Sequence, residues 1–413
     1  MKTAWKRMTA VTLAAVLVFV AATIPSFAES GGPDTHRRAE PTPATAVQQQ
    51  IDDLIAAYET ALQDELMFGE TVEVQDPVEG AILMLAGASA EKMEALWLET
   101  VGKINELEAR PEEARKPAVQ LIQSIEASDV TYLDRDRSPY DSEVQLERYQ
   151  TSKYIYSVDV ATNRIVEINL VDEMSIETKP AFGAEELEKR AREFISVVAS
   201  GVDLDSLSAA FGDKGGEMFF FRWEDRSTTV SGGMPAFIQV GYSQGGDLVH
   251  FVNSVPFSDG RGEDAPAAVL FDEYYANGGS YWQWLQGSYN TQNNAGYCYI
   301  YGWCSPKNFY WQITCFGCTS AKGRWKPNAN GTVKASAFVP STHATTKQAC
   351  YRSYYNGGST LYEKCIRQDI YYDTFVSITS ISLYNIRRID LGNLQDSSTL
   401  KEIAWDETHV YTP

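Results

Sequence analysis

Hydrophobic positions along the chain recur first at helical and later at strand intervals, and that change of period divides the sequence before composition is considered. Ile51, Leu54, Ile55, Tyr58 and Leu62 follow helical spacing. So do Met93, Leu96, Trp97, Val101, Ile104 and Leu107, after Ser89, a residue type suited to a helix N-cap. Pro111, a favoured first helical residue, opens a third run carrying Val119, Ile122 and Ile125. Together these runs predict a helical region over 47–150 whose apolar stripes face a core.

From Lys153 the period falls to two. Tyr154, Tyr156, Val158 and Val160 share one strand face, Val166, Ile168 and Leu170 share a face of the returning strand, and 161–164 forms the turn. A helix with Leu187, Ala191, Phe194, Ile195 and Val198 on one side follows, then strands at Met218 to Trp223, Ala236 to Tyr242 and Leu248 to Val252. This pattern predicts an α+β domain over 151–257. The run Ser258 to Pro266 reads as a linker extending to 273. Beyond it lie short β-like runs at 335–340, 349–354, 365–368, 375–378 and 403–406, bounded by turn formers such as Asn356-Gly357-Gly358. They predict an antiparallel β-sandwich over 274–413. The whole reads as a multidomain chain: helical region, central α+β domain and C-terminal sandwich.

The order of those C-terminal runs, from the strand ending at Pro340 through Cys365-Ile366-Arg367-Gln368 to Ile403-Ala404-Trp405-Asp406, resembles the golvesin and xanthan-lyase carbohydrate-binding-like domain. Phe375 stands where that family usually has Trp, and Trp405-Asp406-Glu407 replaces its Asp-Ala-Val run. The resemblance implies a sandwich that recognises carbohydrate. The hairpin Tyr156 to Asn163, the helix beginning near Ala184-Glu185-Glu186 and the strand Phe237-Ile238-Gln239-Val240 resemble a PepSY-type domain, with Asn163 where Gly is commoner. That resemblance implies a secreted or cell-envelope protein, in some members a protease regulator.

Lys2, Lys6 and Arg7 precede an apolar run from Ala10 to Ala22 and a small-residue cleavage pattern at 25–28, so 1–28 reads as a secretory signal and 29–46 as a flexible leader. The apolar run is short for a membrane span, and the expectation is a secreted chain with no stable span after signal removal. The net charge of -20 is unevenly spread: 29–273 carries 47 acidic against 20 basic residues, whereas 274–413 carries 8 against 12. The acidic part argues against nucleic acid as a partner. All six cysteines and 26 of the 49 aromatic residues fall in 274–413, which marks the main compositional boundary.

Gly241-Tyr242-Ser243-Gln244-Gly245 matches a nucleophile elbow, but the elbow needs a helix directly after its serine. Gly246-Asp247 and a β-rich run follow instead, so Ser243 reads as a residue at a hairpin turn; a serine hydrolase remains the alternative. Cys298, Cys304, Cys315, Cys318, Cys350 and Cys365 are disulfide candidates in an exported chain. Cys350 with Cys365 suits neighbouring antiparallel strands, Cys298 with Cys304 is another local closure, and Cys315 with Cys318 is left as a close pair. Asp134-Arg135-Asp136-Arg137 opens like a calcium loop, but Pro139 stands where glycine is needed and no Glu closes it. No metal or other cofactor is expected.

The aromatic surface is what remains. Trp282, Trp284, Trp303, Trp311, Trp325 and Trp405 lie among many Asn, Gln, Gly and Ser residues, a mixture in which rings cover sugar faces and amides answer sugar hydroxyls. The same rings also serve as sandwich core. The reading is a secreted, non-catalytic binding protein for glycan or cell-wall polymer. Its rivals are an enzyme, whether an esterase through Ser243 or a polysaccharide-acting enzyme with an accessory sandwich, and a protease-regulating protein built on the middle domain.

Overall fold

The computed structural model describes residues 43–76, 80–176, 181–229, 235–255, 321–327 and 329–393, together with short strands within 269–313 and 402–411. The expected signal 1–28 and leader residues 29–42 lie outside these residues, whereas 43–46, expected as flexible leader, are already the start of the first helix. Residues Val47–Pro413 form one compact unit.

Helical spacing produces α1 (Pro43–Phe68), α2 (Gly87–Glu108), α3 (Glu112–Ile125) and α4 (Ala184–Val198). On α2 the residues Met93, Trp97, Val101 and Ile104 form the buried face. Ser89 is not its cap: Ala86 holds that position, and Ser89 Oγ accepts from the Glu70 backbone N–H. Pro111 is the N-cap of α3, where Glu112 and Glu113 complement the helix dipole. Between α1 and α2 the chain makes a hairpin, β1 (Thr71–Asp76) and β2 (Gly80–Leu85).

The expected helical region ends early. Residues 131–150 form β3 (Thr131–Ser138) and β4 (Asp141–Gln150), which pair with β5 (Tyr154–Asp159) and β6 (Ile165–Leu170). They continue through β7 (Ser208–Lys214), β8 (Met218–Thr229), β9 (Pro235–Ser243) and β10 (Leu248–Asn253). The result is one eight-stranded antiparallel sheet in the order β3-β4-β5-β6-β10-β9-β8-β7. Strand β3 escaped the periodicity because its buried alternate positions are Asp134, Asp136 and Ser138 rather than apolar residues.

Every residue of β9 is buried, because the sheet is covered on both faces. Successive residues of β10 show how: Phe251 packs edge-on to Phe194 of α4, whereas His250 packs edge-on to Tyr371 from the C-terminal region.

The C-terminal strands are β11 (Val269–Phe271), β12 (Trp282–Trp284), β13 (Asn290–Asn293), β14 (Asn308–Ile313), β15 (Ala321–Trp325), β16 (Thr332–Val339) and β17 (Ala349–Tyr355). They continue with β18 (Thr360–Ile366), β19 (Thr374–Ser377), β20 (Leu383–Tyr384), β21 (Arg388–Asn393), β22 (Glu402–Trp405) and β23 (Thr408–Tyr411). One antiparallel sheet runs β11-β23-β16-β19, with β20 also on β16; a second runs β12-β15-β21-β17-β18; a third is β13-β14-β22. Val333, Ala335, Ala337 and Val339 of the first and Trp325, Tyr351, Ile389 and Leu391 of the second join one apolar cluster, the arrangement of a sandwich. Cys350 and Cys365 are register partners on β17 and β18 and form a disulfide. Cys298, Cys304, Cys315 and Cys318 lie outside the described residues.

The apolar cluster of the sandwich is continuous with that of the helices and the large sheet. Polar anchors cross the junction as well. Trp97 Nε1 donates to Ser382 O at 2.8 Å, Asn356 Nδ2 to Tyr58 Oη at 2.7 Å, and Gln239 Nε2 to Tyr372 O at 2.9 Å. Tyr372 also stacks on Phe220 and lies over Gly212, where a Cβ would come within 2.3 Å of its ring.

Candidate functional site

Trp325 is not a ligand platform. It is 1% exposed and packs against Tyr351 with ring centroids 6.4 Å apart, so its indole is core. Of the other tryptophans, Trp303 lies outside the described residues, and only backbone register is described for four. Trp282 stands opposite Trp325 and Trp284 opposite Gly323; Trp311 stands opposite Ala404 and Trp405 opposite Tyr310. Because Tyr310 in turn pairs with Thr291, Thr291, Tyr310 and Trp405 form one cross-strand row in the three-stranded sheet.

Ser243 closes β9 and enters a turn, with no helix after it. Its Oγ is buried and accepts from the Asp247 N–H at 3.1 Å. His250 Nδ1 is bonded to Asn169 Oδ1 at 2.9 Å, and burial pulls the imidazole pKa down to about 3, which keeps it neutral.

A cavity of about 400 Å³ opens where β3 to β6 meet β16, β18 and β19. One wall carries Asp134, Asp136 and Arg148, with Lys334 bonded to the two aspartates from behind the lining. Asp134 accepts from Arg148 Nε at 2.6 Å and from Lys334 Nζ at 2.9 Å, and Lys334 Nζ lies 3.1 Å from Asp136. Desolvation works to raise the Asp134 pKa, but Arg148 and Lys334 outweigh it and hold the carboxyl below its ordinary range. The aspartates of the calcium-like stretch are therefore matched by cations of the chain itself. Arg148 Nη2 also donates to Ser380 O at 2.8 Å, so this set ties the large sheet to the sandwich.

The opposite wall is less fully matched. Glu173 accepts from Tyr371 Oη at 2.6 Å and from the Arg367 N–H at 2.8 Å. Glu167 accepts from Ser157 Oγ at 3.3 Å, and Lys364 Nζ donates to Ser377 O at 2.7 Å. Burial raises the pKa of both glutamates and lowers that of Lys364, so each is pushed toward its neutral form. Ser336 on β16 is 2% exposed, and its Oγ has no hydrogen-bond partner.

None of these cavity residues emerged from hydrophobic periodicity. The signal present was negative: Lys334 interrupts Val333 to Val339, a run otherwise of small and apolar residues, where only a buried partner can hold a charge. Its partners lie some two hundred residues away in sequence.

Fold and cavity define a predominantly antiparallel-β protein with a buried polar junction and a disulfide-linked hairpin. No family model matches the chain, and no curated protein matches it. Among solved structures it is similar to the Bacillus megaterium YpeB C-terminal domain, with 8% identity, 66% of this chain and 99% of that one covered, and a TM-score of 0.27. Similarity to Paenibacillus xanthan lyase has 9% identity and a TM-score of 0.27 over 69% of this chain, spanning 25% of the lyase. Carbohydrate-binding modules of the β-sandwich superfamily are similar over 51% of this chain and 97% of theirs, at 12% identity and a TM-score of 0.21. At these TM-scores the likenesses carry no functional argument.

Proposed function

We propose that the protein is exported and acts without catalysis, recognising carbohydrate or a cell-surface polymer through its C-terminal β region. The observation that carries this reading is the register of Thr291, Tyr310 and Trp405, which stand opposite one another on three adjacent strands. Aromatic residues at neighbouring register positions beside a hydroxyl-bearing residue are the residue types that suit the apolar faces and hydroxyl edges of sugar rings. The signal-like stretch 1–28 and the disulfide support export to an oxidising compartment.

Retention of the chain from residue 29 on immobilised cellulose, xylan, chitin and peptidoglycan tests the proposal. The wild type is expected to be retained on at least one, and Trp405→Ala to weaken that retention about tenfold, a loss of ~1.4 kcal/mol. Passage of the wild type through every matrix, or equal retention of the variant, would remove the aromatic row from consideration.

A further inference from the structure

We propose that the cavity between the large sheet and the sandwich is a second binding site, for a small uncharged polyhydroxylated ligand of one or two sugar rings. It shares its ligand class with the reading above but none of its residues. Three observations define the ligand.

Charge comes first. The lining holds four carboxylates, Asp134, Asp136, Glu167 and Glu173, against Arg137, Arg148 and Lys364. Asp134 and Asp136 are paired with Arg148 and, behind the lining, with Lys334, while burial pushes Glu167, Glu173 and Lys364 toward their neutral forms. With its charges paired or suppressed, the cavity has no strong field of one sign to draw in a phosphate or an organic cation.

Unused hydrogen-bonding capacity comes second. Lys364 Nζ carries two or three N–H donors according to its protonation, and Ser377 O occupies one. Ser336 Oγ is buried with no partner, and an unmet buried hydroxyl is a cost that a ligand can relieve. Glu167 is bonded to Asn169 and, at 3.3 Å, to Ser157, and burial shifts its carboxyl toward the form that both donates and accepts. A sugar hydroxyl also does both, so one ligand type meets all three groups.

Shape comes third. Leu146, Ile155, Phe375 and Val376 supply apolar wall against which the C–H face of a sugar ring can lie. The volume falls within the range of small-molecule pockets, roughly 300 to 1,000 Å³. Contributions from β3 to β6 on one side and β16, β18 and β19 on the other make the ligand a bridge across the junction.

Isothermal titration and thermal melting of the chain from residue 29 test this with glucose, galactose, N-acetylglucosamine and cellobiose, alongside glycine, glutamate and inorganic phosphate. At least one sugar is expected to bind with one-to-one stoichiometry and a Kd of about 1 mM or tighter, and to raise the melting temperature. Ser336→Leu, which fills the cavity from β16, should weaken binding at least about tenfold. Lys364→Gln provides a second reading, with weakening of about fivefold, where the leucine variant fails to fold. The proposal is overturned if no sugar binds, if only glycine, glutamate or phosphate binds, or if the sugar affinity follows Trp405 and ignores the cavity variants. Polymer retention depends on Trp405 and sugar titration on Ser336 and Lys364, so each reading can fail without the other.

Discussion

Lys214 shows what a single side chain does at the junction. At the end of β7 its Nζ donates to three backbone carbonyls, Gln368 O at 3.0 Å, Ala344 O at 3.1 Å and Pro340 O at 3.3 Å. The ammonium thereby gives a buried partner to carbonyls outside the strand ladders, of which Gln368 O also accepts from the Tyr371 N–H. Burial draws the ammonium pKa down to about 7, with Asp369 and Asp373 pulling in the other direction. The sign follows directly. Between that value and the ordinary lysine value the unfolded chain binds more protons than the folded one, so this group makes stability rise with pH across the window. Denaturant unfolding at pH 7 to about 9.5 should show that rise in the wild type and a flatter profile in Lys214→Met; identical slopes would remove Lys214 as its source. At this scale the sequence was least legible. Trp325 invited a surface role because the chain alone cannot say which face of β15 is covered, and Lys214 and Lys334 gave no sign of the partners that hold them.

Among the elements, the β1–β2 hairpin depends on its neighbours. Two-stranded hairpins are marginal alone, and Val72, Val74 and Leu83 remain exposed on this one, so its own apolar contacts hold little. It is fastened by Asp76, which accepts from Arg324 Nη1 at 2.8 Å and Nη2 at 2.7 Å and lies 3.0 Å from Arg388 Nη1. Asp390 takes the remaining edge of the Arg324 fork. Removing one partner of such a buried set strands charge in the interior, so Asp76→Ala should lower the unfolding free energy by about 3–5 kcal/mol in urea titration. A loss below about 1 kcal/mol, the range of an exposed pair, would show the hairpin to be held by something else. Elements with apolar alternation were readable beforehand: β5 and β6 pair through the expected turn, α4 buries Leu187, Ala191, Ile195 and Val198, and β17 and β18 bring Cys350 to Cys365. Elements whose inward positions carry paired charges were not, and β3 is the clearest case.

For the molecule as a whole, composition and packing disagree about where the chain divides. Cysteine and aromatic content change sharply after residue 273, yet the apolar cluster and the buried ion pairs run across that point without a break. Trp97 and Ser382 are 285 residues apart and hydrogen-bonded, a pairing that no local pattern encodes. A shared core predicts one cooperative transition: scanning calorimetry should give a calorimetric to van't Hoff enthalpy ratio near 1, whereas two resolved peaks would show that the sandwich melts by itself.

Strand β23 lies between β11 and β16 rather than at the rim of its sheet. During translation β16 therefore leaves the ribosome with one side of its backbone unmatched, and it stays so until residue 411 has been made. An open strand rich in small apolar residues invites pairing with other chains. A nascent chain of this design needs a chaperone, or passage through a translocon before folding, to shield that side until synthesis reaches its closing partner.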